Sequence, residues 1–254
     1  MDVDGGNQKN LTNDPAEDYE PDWSPDGEQI VFASDREGEV HLFVMNKDGS
    51  DVRKLTKGSG GYLSPRWSPD GKRIALSRSG TIMVMDADGS NLTTVFEPAA
   101  EQTADLCQAP GFVGGWSPDS THITYYSASV TRQLAQICTI AADGTDLKVV
   151  VSEPAGLHAE PVWSNDGRFL AYRSIRNESH EIYVVDLESG EERRLTDAAE
   201  VDAEPEWSPD DEWIAFVSYR EYPNSDIYIM RKDGSDVRRL TTDPAKDTYP
   251  IWAP

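Results

Sequence analysis

Short apolar runs recur along the whole chain in the same order. One set reads Ile30-Val-Phe32, Ile74-Ala-Leu76, Ile123-Thr-Tyr125, Leu170-Ala-Tyr172 and Ile214-Ala-Phe216. A second set follows: Leu42-Phe-Val-Met45, Ile82-Met-Val-Met85, Ile137-Cys-Thr-Ile140, Ile182-Tyr-Val-Val185 and Ile227-Tyr-Ile-Met230. β-Branched and aromatic residues at a period of two predict strands that pack on both faces. Each second run ends at a turn: Asp48-Gly49, Asp88-Gly89, Asp143-Gly144, Ser189-Gly190 and Asp233-Gly234. Glycine there supplies the positive φ of a tight hairpin. A short closing strand comes next, as in Val52-Arg-Lys-Leu-Thr56, Arg193-Arg-Leu-Thr196 and Val237-Arg-Arg-Leu-Thr241.

A tryptophan heads each unit, at 23, 67, 116, 163, 207 and 252. The first five open the blocks Trp23-Ser-Pro-Asp-Gly27, Trp67-Ser-Pro-Asp-Gly71, Trp116-Ser-Pro-Asp-Ser120, Trp163-Ser-Asn-Asp-Gly167 and Trp207-Ser-Pro-Asp-Asp211. The proline presets φ for a turn and ends strand pairing. Four short strands per unit, repeating every 44 to 49 residues, match the period of a propeller blade. A lone four-stranded sheet leaves both faces wet, whereas stacking sheets around an axis buries them. The expected fold is an all-β propeller of four-stranded antiparallel blades.

This series resembles the WD40-like repeat of the TolB propeller family, over essentially the whole chain. The resemblance implies a six-bladed propeller in the full protein. It also implies an extracytoplasmic module that docks peptide segments or lipoprotein partners at its top face and channel. The α/β domain that precedes such propellers in TolB is not visible in this sequence.

The repeat frame is broken at both ends. Met1-Asp-Val-Asp-Gly-Gly6 aligns with Met45-Asn-Lys-Asp-Gly-Ser50, and Leu11-Thr12 with Leu55-Thr56. We therefore expect one domain over 1–254. Residues 1–22 would supply the last strand of a partial blade, 23–251 five complete repeats, and 252–254 the start of another. Either the chain is a piece of a longer propeller, which the broken frame favours, or its end strands close a five-bladed ring.

Composition changes this picture in two ways. The net charge of −23 disfavours nucleic acid and anionic lipid as partners and favours cations or a basic protein. Solubility alone would also account for it. No apolar run reaches the length of a membrane span, and no signal peptide is present in this segment. If it lies upstream, a periplasmic or secreted location follows.

Strand order places the residues three and five positions before each tryptophan at the top of the channel. The candidates for ligand binding there are Asp18, Glu20, Tyr62, His158, Glu160, Asp202, Glu204, Asp247 and Tyr249. A ring of carboxylates focuses negative potential and suits a basic peptide, a polyamine or a divalent ion. The competing reading is a set of loop acids, some paired with Arg36, Arg176 and Arg220. Asp2-Val-Asp-Gly5 and Asp86-Ala-Asp-Gly89 have calcium-loop composition but lack the rest of such a loop, and coincide with the hairpin turn. The four histidines show no metal spacing, although His158 could join Glu160 and Glu204 around a cation. We expect no metal site and no cofactor.

Cys107 and Cys138 are the two cysteines. Cys138 stands where other units carry Phe43, Tyr183 or Tyr228, and Cys107 lies in the long link over 97–115. A bond between them would staple that link and require an oxidising compartment; the sequence leaves the pairing open. No Gly-x-Ser-x-Gly elbow, phosphate loop or His-Glu-x-x-His helix is present. The expected role is a non-catalytic scaffold for protein or peptide. The alternatives are an accessory propeller gating a prolyl-oligopeptidase-like peptidase, and a carbohydrate-active or lectin propeller.

Overall fold

The structure, a computed structural model, describes residues 1–2, 4–99, 106–129, 134–152, 157–176, 178–221 and 223–254. Val3 of the first Asp-x-Asp-Gly sequence and residues 100–105 of the long link lie outside the described residues. Five antiparallel sheets of four strands each follow one another in chain order. Blade 1 comprises Asp18–Trp23, Gln29–Ser34, His41–Asn46 and Arg53–Lys54. Blade 2 comprises Tyr62–Trp67, Arg73–Arg78, Thr81–Asp86 and Thr93–Phe96. Blade 3 comprises Gly111–Trp116, His122–Ser129, Leu134–Ala141 and Lys148–Val151. Blade 4 comprises Leu157–Trp163, Phe169–Arg176, Ser179–Asp186 and Glu192–Arg194. Blade 5 comprises Asp202–Trp207, Trp213–Ser218, Asp226–Arg231 and Arg238–Arg239. The first strand of each blade neighbours the first strand of the next, so these strands line the axis.

The repeated residues have repeated physical jobs. In every block after the tryptophan, the serine hydroxyl donates to the aspartate two residues on, as Ser68 does to Asp70 at 2.6 Å. The same oxygen accepts the backbone N–H that starts the second strand, as from Arg73 at 2.9 Å. At the closing Leu-Thr, the threonine hydroxyl accepts a third-strand N–H where strand four has ended. Leu42, Ile182 and Ile227 donate to Thr56, Thr196 and Thr241 in this way. The Asp-Gly turn needs its glycine twice over. Gly89 has φ +88°, and a Cβ there would lie 2.8 Å from the Leu55 carbonyl oxygen of the preceding blade.

Alternate residues of each strand face opposite neighbours, as a period of two requires. Val31, Ala33, Leu42 and Val44 of blade 1 pack with Tyr62, Trp67, Ile74, Leu76 and Met85 of blade 2. Comparable clusters join blades 2 and 3, 3 and 4, and 4 and 5. Cys107 and Cys138 form a disulfide with Cα atoms 6.0 Å apart, tying the link into blade 3 to its third strand.

The terminal segments take a sixth position between blades 5 and 1. Leu11 packs against Trp23, Ile30, Phe32, Phe43 and Met45, as Leu55 packs on blade 2. Trp252 donates its indole N–H to the Glu206 carbonyl at 3.2 Å, repeating the bond from Trp116 to Arg66 at 3.0 Å. Gly5 abuts the Leu240 carbonyl of blade 5. Five blades therefore form a ring, with Gly5 against Leu240 of blade 5 and Pro254 near Gly27 of blade 1 across the remaining arc. Among the described residues no helix is long and apolar enough to cross a membrane.

Candidate functional site

The site grows from a bulge in the innermost strand. In blade 1, Tyr19 pairs with Ala33 and Asp22 with Val31, so Glu20 and Pro21 face one residue, Phe32. Blades 2, 4 and 5 repeat this shift. The bulged residues hold left-handed backbone: Glu20, Ser64, Glu160, Glu204 and Tyr249 have φ between +51° and +55°. Each precedes a proline, which disfavours right-handed helical backbone at that residue. Non-glycine residues in this region cost of order 1 kcal/mol or more and need local compensation.

Glutamate supplies the compensation across the ring. Glu20 accepts the backbone N–H of Ser64 at 2.6 Å, and Glu160 that of Glu204 at 2.8 Å. Glu204 accepts that of Tyr249. Each carboxylate thus ties its blade to the strained position of the next. Asp22 does the same one step deeper, accepting the N–H of Trp67 at 2.6 Å.

These strands enclose an axial cavity of about 100 Å³. Glu20, Glu160, Glu204 and Tyr249 line its outer level, with Tyr126 reaching in from blade 3. Arg66, Val162, Glu206 and Ile251, the residues immediately before their tryptophans, line the inner level. Blade 3 departs from the pattern, with Val113-Gly114-Gly115 where the others carry Glu or Ser, a proline and a longer side chain. A Cβ at Gly114 would lie 2.3 Å from the Pro161 carbonyl oxygen, so glycine lets the strands close there. Arg66 crosses to this thinned wall and donates to the Gly114 carbonyl at 3.0 Å.

Burial makes the carboxyls weak acids. It pushes Glu206 up to about 8, with the charge of Asp22 adding and Arg66 opposing. It pushes Glu204 up to about 7, against the Tyr249 N–H and with the charge of Glu160. Asp22 rises to about 6 by burial, held back by Arg66 and the N–H groups of Trp67 and Trp23. Glu160 pairs with Arg173 at 3.0 Å. Glu204 and Glu206 therefore hold protons near neutrality.

Of the nine sequence candidates, the structure gathers Glu20, Glu160, Glu204 and Tyr249 around this cavity. The five residues at the other register lie off the axis. Asp18 pairs with Arg36 at 2.8 Å, and Asp202, fully buried, with Arg220 at 2.7 Å and Ser218 at 2.6 Å. Tyr62 lies beneath Arg78, 4.9 Å from its ring centroid. His158 is buried edge-on to Tyr172. Asp247 accepts no hydrogen bond at one buried oxygen. Arg176 pairs with Glu192 at 2.8 Å. Among the described residues no group of three or more His, Cys, Asp or Glu is placed to hold a metal ion.

Sequence reasoning did not single out Asp22, Arg66, Glu206 or Tyr126. The first three share the position before the tryptophan, a signal legible once the bulge is known. Tyr126 enters because Val113 and Gly114 are small, which no repeat pattern announces.

The comparisons with known proteins agree with this architecture. A solved TolB from Acinetobacter baumannii superposes with a TM-score of 0.83 at 20% identity, covering 99% of this chain and 61% of that one. A solved putative TolB from Agrobacterium tumefaciens gives 0.77 at 24% identity, covering 90% and 82%. Both likenesses show the fold. The Tol-Pal system protein TolB of Francisella tularensis subsp. tularensis (strain WY96-3418) is 31% identical over 100 residues. That stretch is 39% of this chain and 23% of the relative. The family model of the TolB beta propeller domain matches residues 1–102 and 76–254, end to end between them. The chain belongs to the TolB beta propeller domain family.

Proposed function

We propose that this propeller is a non-catalytic binding scaffold that docks a basic protein or peptide segment over the carboxylate-lined end of its axis. The observation that carries the reading is the axial cavity, where glutamates from three blades and Glu206 converge with two arginines against them. A net charge of −23 steers cationic partners toward the ring and repels phosphate backbones. The bulge glutamates have structural partners, so their arrangement calls for no acid–base chemistry. The similarity to relatives named Tol-Pal system protein TolB is in keeping with a binding scaffold. The Cys107–Cys138 bond suits an oxidising, extracytoplasmic compartment.

The test is direct binding of peptides of matched length, basic, neutral and acidic, to the intact chain. Basic peptides are expected to bind with an affinity that falls as salt rises. Binding of neutral and basic peptides alike, unaffected by salt, would remove the electrostatic basis of the proposal.

A further inference from the structure

The reading above leaves open what part of a basic partner the cavity takes; the following rests on that reading and narrows it. We propose that the axial cavity seats one lysine side chain of the docked segment, threaded down the axis with its ammonium at Glu206.

Size comes first. A cavity of about 100 Å³ holds a few waters' worth of volume. It admits one extended side chain and excludes a folded segment. The walls suit a lysine stem: Pro21, Pro161, Pro205 and Pro250 ring the axis, with Tyr126 and Tyr249 beside them. Long cationic side chains bury their methylenes along such surfaces and keep the charge for a polar end.

The polar end is set by which oxygens are already used. Glu20 is bonded to the Ser64 N–H, and Glu160 is shared between the Glu204 N–H and Arg173. One oxygen of Glu204 accepts from Tyr249. Glu206 lines the cavity, and its carboxylate has no hydrogen bond or ion pair among the described residues. A half-buried carboxyl that lines a narrow cavity without a protein partner favours a cation or a proton over its bare charge. An ammonium is a compact charge with three donors, whereas a guanidinium demands a coplanar carboxylate on a wide approach. The narrow axis favours the ammonium.

The facing charges agree. Asp22, Glu20, Glu160, Glu204 and Glu206 oppose Arg66 and Arg173, so five acids against two bases leave −3 when all are ionised. Tyr126 and Tyr249 stay neutral, since burial and the nearby glutamates push both phenols upward. In the empty channel Glu206 holds a proton up to about pH 8. Entry of an ammonium releases that proton, so affinity rises with pH while the lysine, with an ordinary pKa of about 10.4, keeps its charge.

The experiment is calorimetric titration of the intact chain with the blocked pentapeptide acetyl-Gly-Gly-Lys-Gly-Gly-amide. Arginine, norleucine and acetyl-lysine replace the lysine in the controls. The lysine peptide is expected to bind best, and its affinity to rise roughly tenfold per pH unit from pH 6 toward pH 8. Heats in buffers of different ionisation enthalpy should show about one proton released at pH 7. Glu206→Gln should abolish both the pH slope and the proton release. Gly115 occupies the same position of the blade 3 inner strand, and a Cβ there meets nothing within 4 Å. Gly115→Leu should therefore block the axis and prevent binding without disturbing the fold. Equal binding of lysine and norleucine peptides, a flat pH profile, or an unaffected Glu206→Gln would overturn the lysine seat. If basic peptides bind regardless of these changes, the scaffold reading survives and the seat does not. If no basic peptide binds at any pH, both fall.

Discussion

His158 shows how one residue type changes meaning with its surroundings. Both ring nitrogens are buried without hydrogen-bond partners, and the ring lies 5.7 Å from that of Tyr172. Burial first, and then the charge of Arg176, lowers its pKa from 6.5 to about 4. The unfolded chain takes up this proton near pH 6.5 and the folded chain only near pH 4. Stability from the neutral ring is thus complete above pH 6.5 and lost as the pH falls toward 4. Between pH 7 and pH 5 this residue should cost the protein about 1–2 kcal/mol. His158→Phe should lose that much less stability over the same interval, as read from urea midpoints. Identical losses in both proteins would show that the histidine is not the source. Glu204 and Glu206 work in the opposite direction, since their raised pKa values favour the folded state at low pH and withdraw that support as the pH climbs through about 7 to 8.

At the level of strands, two devices hold neighbouring pieces in register. The first is the glutamate that reaches the next blade. Glu160→Ala removes the acceptor of the Glu204 N–H, which sits at φ +52°, and breaks the pair with Arg173. An enclosed N–H left unpaired costs about 1–3 kcal/mol. Glu160→Gln keeps an acceptor and should recover part of that loss in urea unfolding. The second device is the disulfide, which spans 31 residues and draws the entering link onto blade 3. A loop of that length corresponds to roughly 3–4 kcal/mol of unfolded-chain entropy. Replacing both cysteines by alanine should lower stability by about that amount. Native-state hydrogen exchange should localise the loosening to blade 3; a uniform change over all blades would argue against the staple.

For the whole molecule, stability depends on closing the ring. Nearest-neighbour interfaces carry repeat proteins, and a ring needs every arc. The arc between blades 5 and 1 is held by Leu11 on one side and by Trp252 and Tyr249 on the other. Leu11→Ala should therefore cost about 1–3 kcal/mol, more than an exposed strand leucine warrants. It should also raise binding of a hydrophobic dye through Phe32 and Phe43. Unchanged melting and no dye signal would mean that the N-terminal segment is not part of the closure.

The amino-acid order alone determined the blades, because strand period, glycine turns and the Trp-Ser-x-Asp blocks act within a few residues and recur five times. It also placed Glu20, Glu160, Glu204 and Tyr249 near the axis, since repeat position fixes radius. It did not separate them from Asp18, Tyr62, His158, Asp202 and Asp247. That distinction comes from the bulge, which inserts a residue and turns one register toward the axis, while in the other register Asp18 and Asp202 pair with Arg36 and Arg220, just beyond the second strands. Nor does local sequence reveal that the Glu206 carboxyl has no partner among the described residues, or that Tyr126 lines the cavity beside Val113 and Gly114. Those facts depend on atoms contributed by different blades, and burial and charge are properties of the assembled ring.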